Sequence, residues 1–265
     1  MTKNVKTIED INKEFYGEHF NEDTVEYLKK SAGARWFNYL LAMTLTKVRQ
    51  EDVQTAADMG CGVGHKTTAI KRSLPSAQVT GFDLSKSAIS AAKNAYGKEG
   101  VKFSRDDITK KNYKKRYDLI SAFDVLEHID DWGGMVDKLI AVNNRYLLFS
   151  FPVGRMRPYE KNIGHFRNFK RGQMEEFLAR RGYKTVHTFY AGFPFFSPIL
   201  RDLTQLFSKN YSETISTKMS LIGVVIHKIW YVLFRYGSMK HRGDVFIGLF
   251  EKIPEPNKKL KDAKK

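Results

Sequence analysis

Two histidines and a run of glycines carry most of the chemistry this chain could perform. His128 closes the stretch "DVLEH" and His165 lies in "GHFRNF". Either ring, with an ordinary pKa near neutrality, could take the proton of a hydroxyl or phenol held against it, with Glu127 adjacent as a carboxyl partner. The other reading for each is a hydrogen-bonded structural histidine. In "AADMGCGVGHKT", Gly60, Gly62 and Gly64 supply bare backbone that turns tightly and lets a ligand touch the main chain. A helix beginning near His65 would aim N–H groups into the same space, and Asp58 supplies a carboxylate at the loop's entrance. Cys61 has no activating base beside it in sequence, so it reads as a small buried filler of the loop rather than a nucleophile.

Such residues need a scaffold, and the chain from Val53 onward provides one. Short apolar runs ("VQTAADMG", "QVTGFDLS", "VKFSRDD", "YDLISAFDVL", "RYLLFSFP") alternate with helical patterns ("HKTTAIKRSL", "KSAISAAKNAYG", "WGGMVDKLIAV"). This rhythm predicts a parallel sheet with crossover helices on both faces, whose ligands bind at the carboxyl ends of the strands. A helix "RGQMEEFLARRG", a strand "YKTVHTFYAGF" and a last strand "DVFIGLFEK" follow. Residues 1–52 read as an N-terminal helical cap, 53–193 as the core, 194–243 as a helical insertion, 244–253 as the final core strand and 254–265 as a basic disordered tail.

Composition narrows the class without choosing a partner. The 265 residues carry 45 Lys+Arg against 29 Asp+Glu, a formal charge of +16. That field suits nucleic acid, anionic lipid or a phosphorylated ligand. The single cysteine excludes an intrachain disulfide, and no Cys/His cluster has zinc-ligand spacing. The N-terminal residues lack the apolar stretch of a secretory signal, so the cytoplasm is the expected compartment, with a membrane surface as the alternative.

The glycine loop, taken with three later stretches, resembles class I S-adenosylmethionine-dependent methyltransferases. "DMGCGVG" matches the acid-x-Gly-x-Gly-x-Gly loop of that family, and "VTGFDLS", "VKFSRDDI" and "YDLISAFDVLEHIDD" follow in the family's order. The resemblance covers residues 54–152 and extends through "GHFRNFKRGQMEEFLARRGY" to about residue 192. It implies a Rossmann-like seven-stranded, mostly parallel α/β sheet with its last strand antiparallel, and S-adenosyl-L-methionine as cofactor. It also implies that Asp58, Gly60, Cys61, Gly62 and Gly64 lie at the methionine end, Asp83 and Leu84 at the ribose, Asp107 and Ile108 at the adenine, and Phe123 and Asp124 beside them. Arg35 and Trp36 would sit on the helix that caps the cofactor, and Tyr16 on a segment folding over it.

Methyl transfer from a sulfonium is an in-line displacement with a good leaving group, so orientation and desolvation dominate. The similarity favours O-methylation of a small or lipid-linked acceptor, as in ubiquinone-pathway enzymes; N- and C-methylation stay open. Asp124, Glu127, His128 and His165 also resemble the metal-binding pattern of small-RNA 2′-O-methyltransferases, where a hard divalent ion would lower an acceptor's pKa. RNA methylation, and a silent cofactor-binding or partner-binding protein, are the alternatives. The absence of an "NPPY"-type tetrapeptide after the fourth strand speaks against methylation of nucleic-acid bases.

Two segments bear on the acceptor. Arg155, Arg157, Lys161, Arg167, Lys170 and Arg171 crowd the loop after the fifth strand, which suits an anionic acceptor. In the insertion, "SLIGVVIHKIWYVLFRYG" places Ser220, His227, Lys228, Tyr231 and Arg235 on one side of a helical wheel. A wide arc of Ile222, Val225, Ile226, Ile229, Trp230 and Leu233 occupies the other. A buried or interfacial helix is expected. It could be a lid, an oligomer contact, or a peripheral membrane contact with Lys209, Lys218, Lys240 and Arg242 around it.

Overall fold

The computed structural model describes residues 7–8, 20–203 and 219–254. Tyr16, Lys209, Lys218 and nearly all of the expected tail lie outside them. Two helices lead in, α1 (Glu22–Lys30) and α2 (Ala32–Leu45). The core then alternates β1 (Thr55–Met59), α3 (His65–Ser73), β2 (Gln78–Asp83), α4 (Lys86–Tyr96), β3 (Val101–Arg105) and β4 (Tyr117–Phe123). It continues with α5 (Trp132–Ala141), β5 (Asn143–Pro152), α6 (Pro158–Asn162), α7 (Gln173–Ala179), β6 (Tyr183–Ala191), α8 (Leu221–Val232) and β7 (Val245–Lys252).

The seven strands form one sheet in the order β3-β2-β1-β4-β5-β7-β6. The first five run parallel, while β7 is antiparallel to both neighbours. The chain reverses its strand order between β1 and β4, which opens the crevice where open α/β sheets take ligands. Both faces are buried, as parallel strands rich in Ala, Ile, Leu and Phe require. On one face, Trp36, Phe37 and Leu40 of α2, Ile70 of α3 and Ile89 of α4 pack with Leu119 and Leu148. On the other, Met135 and Leu139 of α5 and Met174 and Leu178 of α7 pack with Phe149 and Phe250.

Local chemistry sets the helix starts. Asn21 Oδ1 accepts the amides of Asp23 and Thr24, and Ser85 Oγ accepts the Ala88 amide at 3.1 Å, which satisfies first-turn donors of α1 and α4. α2 is different, because Ser31 makes no side-chain cap. Its first amide, from Ala32, is instead donated to Nδ1 of His227 in α8 at 3.0 Å, a link across 195 residues. The insertion therefore helps hold the N-terminal helices in place.

α8 leaves most of its apolar arc exposed, which agrees with the interfacial and not the buried form of the expected helix. None of its residues is fully buried. Trp230 and the following Phe234 pack against Trp36 and Phe196, but Ile222, Val225 and Ile229 face solvent. The polar side was the one that found partners. Arg35 lies over the Tyr231 ring at 4.2 Å and Arg235 over Tyr39 at 4.5 Å, cation–π contacts that aliphatic side chains cannot offer. Among the described residues, no helix is long and apolar enough to cross a membrane.

Candidate active site

A cleft of about 1400 Å³ lies at the carboxyl ends of β1, β2 and β4, between the sheet and the roof made by α2 and the insertion. One drug-sized ligand fills roughly 300–1,000 Å³, so the space can take two molecules side by side. Its inner end is the glycine loop. The amides of Gly60 and Cys61 both donate to Phe82 O, at 2.8 and 2.9 Å, which ties the loop to the end of β2. Gly60, Gly62 and Gly64 all have positive φ, the conformation glycine adopts without penalty. Gly64 is the N-cap of α3 and makes no side-chain cap there, leaving first-turn amides of this helix to the cleft side of the loop.

The carboxylates around the loop are already oriented. Asp83 accepts the Gly62 amide at 2.8 Å on Oδ2 and the Ser85 amide at 2.9 Å on Oδ1. Each oxygen keeps a further lone pair for a ligand hydroxyl. Asp58 is buried and accepts from Ser121 at 2.7 Å and Thr67 at 2.6 Å. Burial pushes its carboxyl up to about 6 despite these two hydroxyls. Asp107 lines the cleft, braced by the amide and hydroxyl of Thr109, whereas Asp106 is engaged by Lys111. Leu84, Ile108 and Phe123 add apolar surface to the same region. Cys61 is buried, with its thiol pushed well up by burial and by Asp83 and Asp58, and its sulfur fills the space beside Gly81.

Two expected residues stand elsewhere. Arg35 does not line the cleft, because its guanidinium stacks on Tyr231 of α8. Gly64 does not line it either: a Cβ there would meet the Phe103 ring at 2.7 Å, so this glycine serves the close packing of α3 on the sheet. Conversely, Lys66 was not singled out from the sequence. Its ammonium pairs with Asp124 and lies 4.6 Å from the centre of the Phe37 ring. Its position two residues into the helix after the glycine loop was the available signal. Burial raises the Asp124 carboxyl, but Lys66 and Ser150 outweigh it and hold it below the usual range.

The outer end of the cleft brings Glu127, His128 and His165 together. Their potential ligand atoms lie within 4.8 Å of one another, and the two imidazoles meet edge to face at 4.5 Å. His128 Nδ1 is 3.1 Å from Gly164 O, so Nδ1 carries the hydrogen and Nε2 is the basic nitrogen of the neutral ring. Asn168 donates its amide nitrogen to Arg155 O and to Glu160 Oε2, and its own amide oxygen faces His165 Nδ1 at 3.4 Å. Burial drives His128 down to about 3 and lowers His165, so both rings are neutral at pH 7. Glu127 is fully buried, and neither of its carboxyl oxygens has a hydrogen-bond partner. Burial and then Asp124 push its carboxyl well above the ordinary value.

The basic loop after β5 does not form an anion pocket. Arg157 is buried and spends its guanidinium on Asp202 at 2.8 Å, Asp244 at 2.7 Å and Ser197 at 2.7 Å. Arg155 faces Asp202, Arg167 reaches Ile129 O and Asp130, and Arg171 reaches His241 O. None of these arginines, nor Lys161 or Lys170, lines the cleft. The acids that neutralise Arg157 come from distant segments that the sequence did not place beside it. Arg201 does line the cleft, but it pairs with Glu160 and Asp244 and donates to Tyr159. The rest of the outer wall is apolar, with Trp36, Phe196, Leu200, Ile226 and Trp230.

A sheet of this topology with a glycine loop at its switch point defines a class, and residues 34–188 match the model of a methyltransferase domain family. The chain belongs to that family and has the fold of class I S-adenosylmethionine-dependent methyltransferases. Among curated relatives, it is 30% identical over 83 residues to malonyl-[acyl-carrier protein] O-methyltransferase of Acetivibrio thermocellus, a match spanning 31% of this chain and 29% of that one. It is 30% identical over 100 residues to trans-aconitate 2-methyltransferase of Escherichia coli, spanning 38% and 39%. The chain thus covers less than half the length of these relatives. Among solved structures, magnesium protoporphyrin IX methyltransferase from Synechocystis aligns over 95% of this chain and 100% of its own, with TM-score 0.57 and 15% identity. Phosphoethanolamine N-methyltransferase 2 of Haemonchus contortus aligns over 96% and 62%, with TM-score 0.62 and 16% identity. At these identities the two structures speak for the fold.

The cleft fits the family's cofactor on its own geometry. Asp83 is oriented by backbone amides with acceptor capacity left over, and a Cβ on Gly62 would stand in open space rather than against protein.

Proposed function

We propose that this methyltransferase methylates an oxygen of a small or lipid-linked apolar acceptor held at the outer end of the cleft. One observation carries the reading: two neutral imidazoles and an unpartnered buried carboxyl meet beside a wall rich in aromatic and aliphatic side chains. S-adenosylmethionine, when bound, supplies a methyl group on a sulfonium. In this reading Asp58 and the loop at Gly60 and Gly62 hold its methionine end, Asp83 and Leu84 the ribose, and Asp107 and Ile108 the adenine side, with Phe123 and Asp124 adjacent. The imidazole of His128 or His165 orients the acceptor hydroxyl and takes its proton, and the ionised Asp124 stabilises the resulting cation. Glu127, whose carboxyl is pushed by burial toward its protonated form, orients the acceptor through a hydrogen bond. The test is transfer of labelled methyl from S-adenosylmethionine into cell extracts, followed by identification of the labelled compound; a label found only on nitrogen or carbon would reject the reading.

The pH dependence has a definite sign. Asp58 is pushed up to about 6, so it is ionised above pH 6 and neutral below it. A cationic ammonium gains from the ionised form only. Apart from any loss above about pH 8 as the ligand's own amine deprotonates, cofactor affinity measured by calorimetry should weaken below pH 6 by up to about tenfold per pH unit. Asp58→Asn should abolish this dependence.

RNA as acceptor is disfavoured, because Arg155, Arg157 and Arg167 of the loop are taken up in ion pairs and none of the loop's cations lines the cleft. A second reading of the same three residues has an observation of its own. Glu127, His128 and His165 offer one carboxylate and two imidazoles within 4.8 Å of each other, a donor set that suits a divalent transition ion. On that reading, treatment with a chelator should eliminate transfer and added metal should restore it. Unchanged activity after chelation leaves the proton-transfer reading.

A further inference from the structure

The insertion helix turns most of its aliphatic surface outward. His227, Tyr231 and Arg235 pack on the protein together with Trp230, while Lys228 and most of the aliphatic side chains are exposed. Leu221, Ile222, Val225, Ile229 and Val232 are 86%, 74%, 56%, 58% and 52% exposed, and Tyr236 one turn on is 76% exposed. At 100° per residue these six side chains fall within about a third of the helix circumference, forming one continuous stripe. A contiguous exposed apolar stripe marks a contact that the described residues do not satisfy.

We propose that this stripe docks on an anionic lipid surface and sets the mouth of the cleft against it. Charge selects the occupant. Between Met219 and Gly243 there is no Asp or Glu, while Lys228, Arg235, Lys240 and Arg242 all fall there. Lys228 and Arg242 are exposed, and Lys228 borders the stripe. A second copy of this chain would bring the same cations onto the face, in a molecule already carrying +16, whereas anionic headgroups neutralise them. Aliphatic residues flanked by lysine and arginine are the pattern of a helix lying in a lipid interface.

The helix also connects the surface to the chemistry. Ile226, His227 and Trp230, on the edge and inner side of the same helix, line the cleft. An acceptor with a lipid tail could then enter from the bilayer past Ile226 without crossing water. The docking proposal rests on the acceptor reading only for what enters; the surface itself is independent of it.

Co-sedimentation of the full chain with vesicles decides the matter. Binding is expected to vesicles of equal parts phosphatidylcholine and phosphatidylglycerol, and not to phosphatidylcholine alone. The double variant Ile222→Glu/Ile229→Glu should partition more than about tenfold more weakly, and Lys228→Ala about fivefold more weakly. Circular dichroism and cofactor affinity should stay unchanged, because these side chains point into solvent. Equal partitioning of the double variant and the wild type would overturn the proposal, as would equal binding to both vesicle types. A wild-type dimer that ignores vesicles and is dispersed by the double variant would assign the stripe to a second copy instead. Because binding is read without turnover, loss of docking with methyl transfer intact rejects the surface alone. Docking without oxygen methylation rejects the acceptor reading alone.

Discussion

Gly62→Arg is expected to fold and to lose its cofactor. A Cβ on Gly62 meets no atom within 4 Å, so a side chain there projects into open space beside the cleft that Gly62 lines. The cost to the fold is confined to the positive φ of 51°, roughly 1–2 kcal/mol for a residue with a side chain. The cost to the ligand is steric exclusion compounded by a cation placed against a cationic sulfonium. Affinity for S-adenosylmethionine, read by calorimetry, should fall by more than about a hundredfold, or nearly 3 kcal/mol. Gly64→Ala gives the contrasting result. Its Cβ would sit 2.7 Å from the Phe103 ring, so stability should drop while the surviving folded protein keeps its cofactor affinity. Tight binding by Gly62→Arg would remove the loop from the cofactor site.

The second large effect concerns the imidazole pair. His128→Ala and His165→Ala should each lower kcat by about 10²- to 10⁴-fold while cofactor affinity stays within about twofold, since neither ring belongs to the loop. The double variant should be little worse than the poorer single one, because groups that hold one proton together act as a unit. Burial keeps His128 near 3, so where His128 takes the proton kcat should not fall as the pH drops from 8 to 6. Any decline below pH 6 should appear in cofactor affinity, through Asp58. Glu127→Gln keeps the shape of a neutral carboxyl and should retain more activity than Glu127→Ala. Wild-type turnover by both histidine variants would reject the proton-transfer role.

The core was legible because its pattern is local. Alternating apolar runs and amphipathic segments announce a parallel sheet, and glycines at Gly60, Gly62 and Gly64 announce a loop whose positive φ values other residues resist. The cleft-facing set from Asp58 to Asp124 followed from strand ends, since a strand's carboxyl terminus fixes where its next residue points. Partner choice was not legible in the same way. Arg35 stacks on Tyr231 and Arg157 pairs with Asp202 and Asp244, contacts between segments 45 to 196 positions apart that no local window contains. The orientation of α8 was not legible for a related reason. A helical wheel gives two faces but not which one meets the protein, and here aromatic partners on α2 drew in the cationic side.

The antiparallel strand β7 has a consequence for how much of the sheet a shortened chain could keep. β7 lies between β5 and β6, and it is the strand with which β6 pairs. During synthesis, residues 183–191 therefore emerge with no ladder to join until residues 245–252 arrive to bridge them to β5. A chain stopped before Asp244 would forfeit two strands rather than one, together with Asp244 itself, the carboxylate shared by Arg157 and Arg201 beneath the roof of the cleft. The last-made segment is thus the keystone of the acceptor side, while the cofactor side is complete once β4 has been made.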